Sequence, residues 1–177
     1  MTGNVAESTG TAGTAHAAEA LRVLVITVST RAASGEYEDR SGPAVVEALQ
    51  QWGVMDATVT VMSDGEERLA MALRQAVDSR VDVVLTTGGT GLAVDDRTPE
   101  ATRRVIEREV PGVAEAIRRA GVEAGVTTAS LSRGIVGVAG CTVIVNLPGS
   151  VGGARDGVAV VGPLLAHMRD QLAGGDH

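Results

Sequence analysis

Two aspartates stand on short polar loops, each following an apolar run: Asp64 in Ser63-Asp64-Gly65, and Asp96 in Asp95-Asp96-Arg97-Thr98-Pro99-Glu100. Carboxylates on separate loops suit a hard divalent cation, because magnesium prefers oxygen ligands and bridges one or two acids to substrate phosphates. Two glycine-rich stretches also follow apolar runs, Thr86-Thr87-Gly88-Gly89-Thr90-Gly91 and Asn146-Leu147-Pro148-Gly149-Ser150-Val151-Gly152-Gly153. Glycine at a strand-to-helix turn lets backbone N–H groups approach an anion at the positive end of the helix. Each feature alone also has a structural reading, since tight turns use glycine and turn aspartates satisfy nearby N–H groups. Acids and glycine turns gathered together point to phosphate chemistry.

The rest of the composition removes competing chemistries. All 15 basic residues are arginine, so a P-loop lysine, a Schiff base and a lysine general base are excluded. A phosphate must therefore be held by arginine, backbone N–H groups or a metal. The three histidines are His16, His167 and His177, too scattered for a histidine-centred triad, and the single Cys141 can build neither a disulfide framework nor a zinc cluster. Cys141 precedes the apolar run Thr142-Val143-Ile144-Val145 and reads as a buried structural thiol. Gly89-Thr90-Gly91 is followed by Val94 where a dinucleotide fingerprint wants glycine, and Pro148-Gly149-Ser150-Val151-Gly152 lacks the first glycine of a nucleophile elbow. The formal charge of -7 repels a nucleic acid polymer while leaving a nucleotide possible. No apolar stretch approaches the roughly 20 residues of a membrane span, and no secretory signal pattern opens the chain, so a cytoplasmic protein is expected.

The elements that must position these loops follow from periodicity. Short apolar runs at Val23 to Val28, Thr58 to Met62, Val81 to Thr86 and Thr142 to Asn146 read as buried strands. Helices are expected from Ser41 or Gly42 toward Trp52, from Glu66 to Ser79, from Thr98 to a point before Pro111, from there to about Ala124, and from Ala154 to Leu172. Thr98-Pro99-Glu100 is a helix start, with a capping hydroxyl, proline at the first position and an acid facing the positive end. Gly162-Pro163 predicts a kink or break in the last helix. Alternating strands and helices imply an α/β fold: three layers, doubly wound, with a mostly parallel sheet and helices on both faces. Residues 1–20, rich in Ala, Gly, Thr and Ser, read as a disordered leader, and 21–177 as one domain. In such a sheet ligands bind beyond the carboxyl ends of the strands, where all these loops fall.

Thr86 to Gly91 with Thr98-Pro99-Glu100-Ala101, the loop Gly35-Glu36-Tyr37-Glu38-Asp39-Arg40-Ser41-Gly42-Pro43, and Asn146-Leu147-Pro148-Gly149-Ser150 together resemble the MogA/MoaB family of molybdenum cofactor biosynthesis proteins, related to the G domain of gephyrin. The resemblance runs from about Leu21 to the end of the chain. It implies a molybdopterin-binding fold and a molybdopterin adenylyltransferase, in which the terminal phosphate of molybdopterin attacks the α-phosphorus of ATP and pyrophosphate leaves. It implies Asp64 and Asp96 as catalytic residues and ligands of Mg2+. The substrate- and nucleotide-binding set is then Ser29, Asp39, Ser41, Gly88, Gly89, Thr90, Gly91, Arg97, Thr98, Glu100, Asn146, Pro148, Gly149 and Ser150. A homo-oligomer, a trimer, is also implied, with other cofactor-biosynthesis proteins as partners. Many members carry arginine just before the second aspartate; here Asp95 stands there and Arg97 follows, making Arg97 the candidate for that charge. The alternatives are a molybdopterin-binding or carrier module without turnover, and an enzyme acting on another nucleotide, as in the related domains of competence-damage proteins.

Overall fold

The computed structural model describes residues 21–174, so the leader expected at 1–20 lies outside the described residues. A six-stranded sheet has the order β2-β1-β3-β6-β5-β4. Its strands are β1 (Arg22–Val28), β2 (Asp56–Met62), β3 (Val83–Thr87), β4 (Arg108–Glu109), β5 (Val136–Ala139) and β6 (Thr142–Leu147). β2, β1, β3 and β6 run parallel, while β5 is antiparallel to both β6 and β4. The helices are α1 (Thr30–Ala33), α2 (Ser41–Gln50), α3 (Glu66–Asp78), α4 (Thr98–Arg103), α5 (Pro111–Glu123) and α6 (Val151–Leu172), with a 3₁₀ turn at Thr127–Leu131.

The period-2 alternation of the strands divides the core. Val23, Val25, Val83, Leu85, Val143, Val145 and Leu147 face one side, where they pack against α2, α5 and α6 through Val45, Leu49, Ile117, Val158 and Leu165. Ile26, Val28, Val84 and Ile144 face the other, against Leu69 and Leu73 of α3 and Ala101 of α4. The central strands are buried on both faces, which is why they read as unbroken apolar runs. α2 connects β1 to β2 over one face, and α3 connects β2 to β3 over the other. The chain therefore changes direction between β1 and β3, the position at which a doubly wound sheet opens a crevice.

Three details differ from the sequence expectation. β4 and β5 join the sheet although neither was expected: β4 is two residues long, and β5 carries Gly137 in its middle. That glycine is required, because a Cβ there would come within 2.6 Å of Ile106 Cδ1 and 2.8 Å of the Arg108 carbonyl oxygen. β2 is an edge strand with Val59 and Val61 exposed, so it is not buried as its apolar content suggested. α6 continues without a break through Pro163. Gly162 serves packing instead, because the Trp52 indole lies where its Cβ would be, 2.4 Å from Cδ1. Pro163 is on the exposed side of the helix, where water can meet the carbonyl it leaves without a donor.

Candidate active site

At the carboxyl end of β3 the chain turns through Gly88 (φ +101°) and Gly89 (φ +64°), a left-handed path that favours glycine. Space demands it as well, since a Cβ on Gly88 would lie 2.4 Å from the Val28 carbonyl oxygen at the end of β1. The turn after β6 presses against the first: Thr87 Oγ1 donates to the Pro148 carbonyl at 2.8 Å, and Gly88 N donates to the Leu147 carbonyl at 3.3 Å. A Cβ on Gly149 would stand 3.1 Å from Gly88 Cα. α6 begins at this junction, capped by Ser150, whose Oγ accepts from Gly153 N at 3.2 Å. Two glycine turns and the positive end of a 22-residue helix thus converge on one point.

They form one wall of a cavity of about 380 Å³, and Asp96 also lines it. The opposite wall is apolar, made by Ile117 and Gly121 of α5 with Val126, Ala129 and Leu131 around the 3₁₀ turn. Gly121 keeps that wall flat, because a Cβ there would meet Ala129 Cβ at 2.6 Å. One side can take the oxygens of a phosphate chain and the other the face of a ring.

Asp96 owes its position to a network that the sequence reading did not find. Arg133 lies just before β5. Its backbone N donates to the Thr90 carbonyl at 2.8 Å, its Nε to the Gly91 carbonyl at 2.7 Å and its Nη2 to the Asp96 carbonyl at 2.5 Å, while Nη1 is paired with Glu100 Oε1. One guanidinium therefore ties the glycine turn, the acidic loop and the start of α4 together. Burial alone would raise the Glu100 pKa, but the hydrogen bond and charge of Arg133 outweigh it and hold the carboxyl below its usual range. Asp96 Oδ2 accepts from Ala93 N at 2.9 Å, and among the described residues Oδ1 has no hydrogen-bond partner.

The structure accordingly separates the expected site residues. Gly88, Gly89, Thr90, Gly91, Asp96, Pro148, Gly149 and Ser150 line the cavity together. Thr98 and Asn146 do not; their side chains are bonded within the fold beneath the turn. Thr98 is 1% exposed, its hydroxyl donating to the Gly88 carbonyl and its N to the Gly89 carbonyl. Asn146 is 2% exposed; its Nδ2 donates to Thr86 Oγ1 and Thr102 Oγ1 and its Oδ1 accepts from Ile135 N, so both ends of the amide are used beneath the turn. Glu100 is held by Arg133, and Arg97 is exposed with Nε donating to the Val94 carbonyl, outside the cavity lining.

The residues after β1 and β2 also lie outside that lining. Asp39 caps α2, its Oδ1 accepting from Ser41 N, Ser41 Oγ and Gly42 N and its Oδ2 from Thr27 Oγ1; its carboxylate fills the place an anion would take at that helix end. Ser41 is buried under the cap. Ser29 caps α1, and Asp64 Oδ2 accepts from Thr30 N and Oγ1 at 2.8 and 2.7 Å. Among the described residues there is no group of three or more acidic, histidine or cysteine side chains able to hold a metal by themselves.

A family model described as "probable molybdopterin binding domain" matches residues 24–167, which span all but the first two residues of the sheet and every wall of this cavity. The chain belongs to the molybdopterin-binding domain family. Within that family it is 33% identical to the molybdopterin adenylyltransferase of Helicobacter pylori over 88% of this chain and 90% of that one. It is 39% identical to a molybdenum cofactor biosynthesis bifunctional protein of Synechococcus elongatus, covering 86% of this chain but only 48%, about half, of the longer relative. Among solved structures, the molybdopterin biosynthesis Mog protein of Mycobacterium ulcerans superposes with a TM-score of 0.81 at 48% identity, covering 86% of this chain and 99% of that one. Arg133 escaped the sequence reading because it sits in neither a glycine nor an acidic motif.

Proposed function

We propose that the protein is a molybdopterin adenylyltransferase. The observation that carries the reading is the convergence of two glycine turns, the α6 N-terminus and Asp96 on one side of a cavity whose other side is flat and apolar. A phosphate-rich nucleotide and a ring-bearing phosphomonoester need such a cavity, and relatives of similar length are named for this reaction. An oxygen of the molybdopterin phosphate forms a bond to the α-phosphorus of ATP, the bond to the bridging oxygen of the β-phosphate breaks, and pyrophosphate leaves with the electron pair.

The attacking phosphate is ionised at neutral pH, so no strong base is required. The work of this chain is positioning and electrostatic: the turns at Gly89–Gly91 and Gly149–Ser150 offer backbone N–H groups to phosphate oxygens, and the helix end favours the negative charge. Asp96 is the residue of the cavity that would hold Mg2+; Asp64, expected as its partner, lies outside the lining with Oδ2 bonded to Thr30. The free Oδ1 of Asp96 can take one position on a cation that completes its shell with phosphate oxygens and water. Bound there, the ion would neutralise charge on the phosphates. We further read the protein as a cytoplasmic homotrimer.

Incubating the protein with ATP, magnesium and molybdopterin should release one pyrophosphate per adenylyl-molybdopterin formed, with no release when molybdopterin is omitted. Molybdopterin binding without pyrophosphate would make the protein a carrier. Sedimentation at micromolar concentration should show a single species of three chains; a monomer would remove the trimer.

A further inference from the structure

If two phosphorylated substrates meet in this cavity, their charge must be met by something besides backbone N–H groups. Asp96 and Asp156 both line the cavity and repel phosphate, and Arg118 is its one positively charged lining residue among those described. Arg97, the cation expected from the sequence, is outside the lining. Arg118 projects from the middle of α5, half-buried, at the junction between the apolar wall and Ser132. Its Nη1 donates to the carbonyls of Gly134 at 3.0 Å and Ser132 at 3.5 Å, and it forms no ion pair with a carboxylate among the described residues. The other arginines close by are already paired: Arg133 with Glu100 and Arg103 with Glu109. A guanidinium anchored through one nitrogen on neutral carbonyls keeps its full charge and two further nitrogens for a ligand.

The geometry points to Arg118 as the residue that binds a phosphate group of the substrates, a contact that no glycine or acidic motif of the chain supplies. The inference rests on the adenylyltransferase reading for the identity of the substrates, but not for the chemistry of the group bound. Arg118 fixes that group from the α5 side while the glycine turns hold oxygens from the other, so the cavity grips its ligand across its width. The phosphate belongs to ATP or to molybdopterin, and the two are told apart by measurement.

Calorimetric titrations of wild type, Arg118→Gln and Arg118→Lys with inorganic pyrophosphate, ATP, molybdopterin and uncharged adenosine provide the test. Arg118→Gln should weaken pyrophosphate and one of the two substrates by on the order of 10- to 100-fold, as expected for loss of a charge-assisted contact. Adenosine binding should not change, and Arg118→Lys should recover part of the loss. The substrate that weakens is the one whose phosphate Arg118 takes. Unchanged pyrophosphate, ATP and molybdopterin affinities in Arg118→Gln would overturn the inference, as would an equal loss for adenosine, which would mark Arg118 as an anchor of the 132–134 segment only. Pyrophosphate bound through Arg118 by a wild-type protein that forms no adenylyl product would sink the adenylyltransferase reading and leave the phosphate site standing.

Discussion

Replacing Arg133 by glutamine should cut the brace between the glycine turn, the acidic loop and α4. Three side-chain bonds are at stake, from Nε to Gly91, from Nη2 to Asp96 and from Nη1 to Glu100. A hydrogen bond involving a charged group contributes about 1.5–3 kcal/mol. The two side chains of the ion pair keep 33% and 27% exposure, so water screens them and the lower end of that range applies. Glutamine can retain one of the three bonds, and it leaves Glu100 unpaired with an Oε2 that is already buried without a hydrogen-bond partner. The loss should be about 3 kcal/mol, which for a domain of this size lowers Tm by about 6–12 °C. Glu100→Gln in the same background should restore part of it, a coupling of about 1–2 kcal/mol.

The pH dependence of that loss has a definite sign. Glu100 has a lowered pKa in the folded protein, so its pairing stabilises fully above the unfolded carboxylate pKa of about 4.3 and is lost as pH falls through the lowered value. The Tm gap between wild type and Arg133→Gln should therefore be widest at neutral pH and narrow on acidification below the ordinary carboxylate range. Scanning calorimetry of wild type, both single variants and the double variant at neutral and acid pH measures all of this. A single variant melting within about 2 °C of wild type at neutral pH, or a gap that does not narrow in acid, would refute the brace.

Asp96 and Asp95 should not be equivalent, because Asp96 lines the cavity while Asp95 is exposed outside it. Asp96→Asn should lower kcat by about 10²-fold or more and Asp95→Asn far less, as steady-state kinetics at saturating magnesium would show; the reverse order would shift the site by one residue. Gly88→Ala must adopt φ +101° and place a methyl 2.4 Å from a backbone oxygen, so urea unfolding should show a loss of about 3 kcal/mol or more, and a wild-type midpoint would contradict the turn geometry. Cys141 should react with a thiol reagent in the native protein, since it is exposed in the β5–β6 turn; a need for denaturant would show that it is covered.

The exposure of Cys141 shows where sequence reasoning ends. Its neighbours Thr142 to Leu147 are buried as the apolar run required, yet the thiol stands one residue outside the strand, in a tight turn with Gly140 at φ +56°. Periodicity reports which face a residue takes within an element, but not where a hairpin closes. The same limit hid β5, whose partner β6 was legible as a buried strand while β5 itself is four residues long and broken by Gly137. The parallel core, the helices on both faces and the glycine turns at the carboxyl edge were legible in the sequence, because burial on two faces and left-handed turns leave residue-type signatures at the position itself.

Which polar side chains are left open to the cavity was decided by the tertiary structure alone. Asn146 and Thr98 stand in loop motifs as suggestive as that of Asp96, yet their hydrogen-bonding groups are spent on Thr86, Thr102, Ile135 and Gly88, partners 10 to 60 residues away in sequence. Asp39 is likewise consumed as the cap of α2. Arg118 and Arg133 carry no motif and acquire their roles only when α5 and the segment before β5 fold against the glycine turn. Residue type and spacing determine what a side chain can offer; whether the offer is still open depends on which donors and acceptors the rest of the fold brings to it.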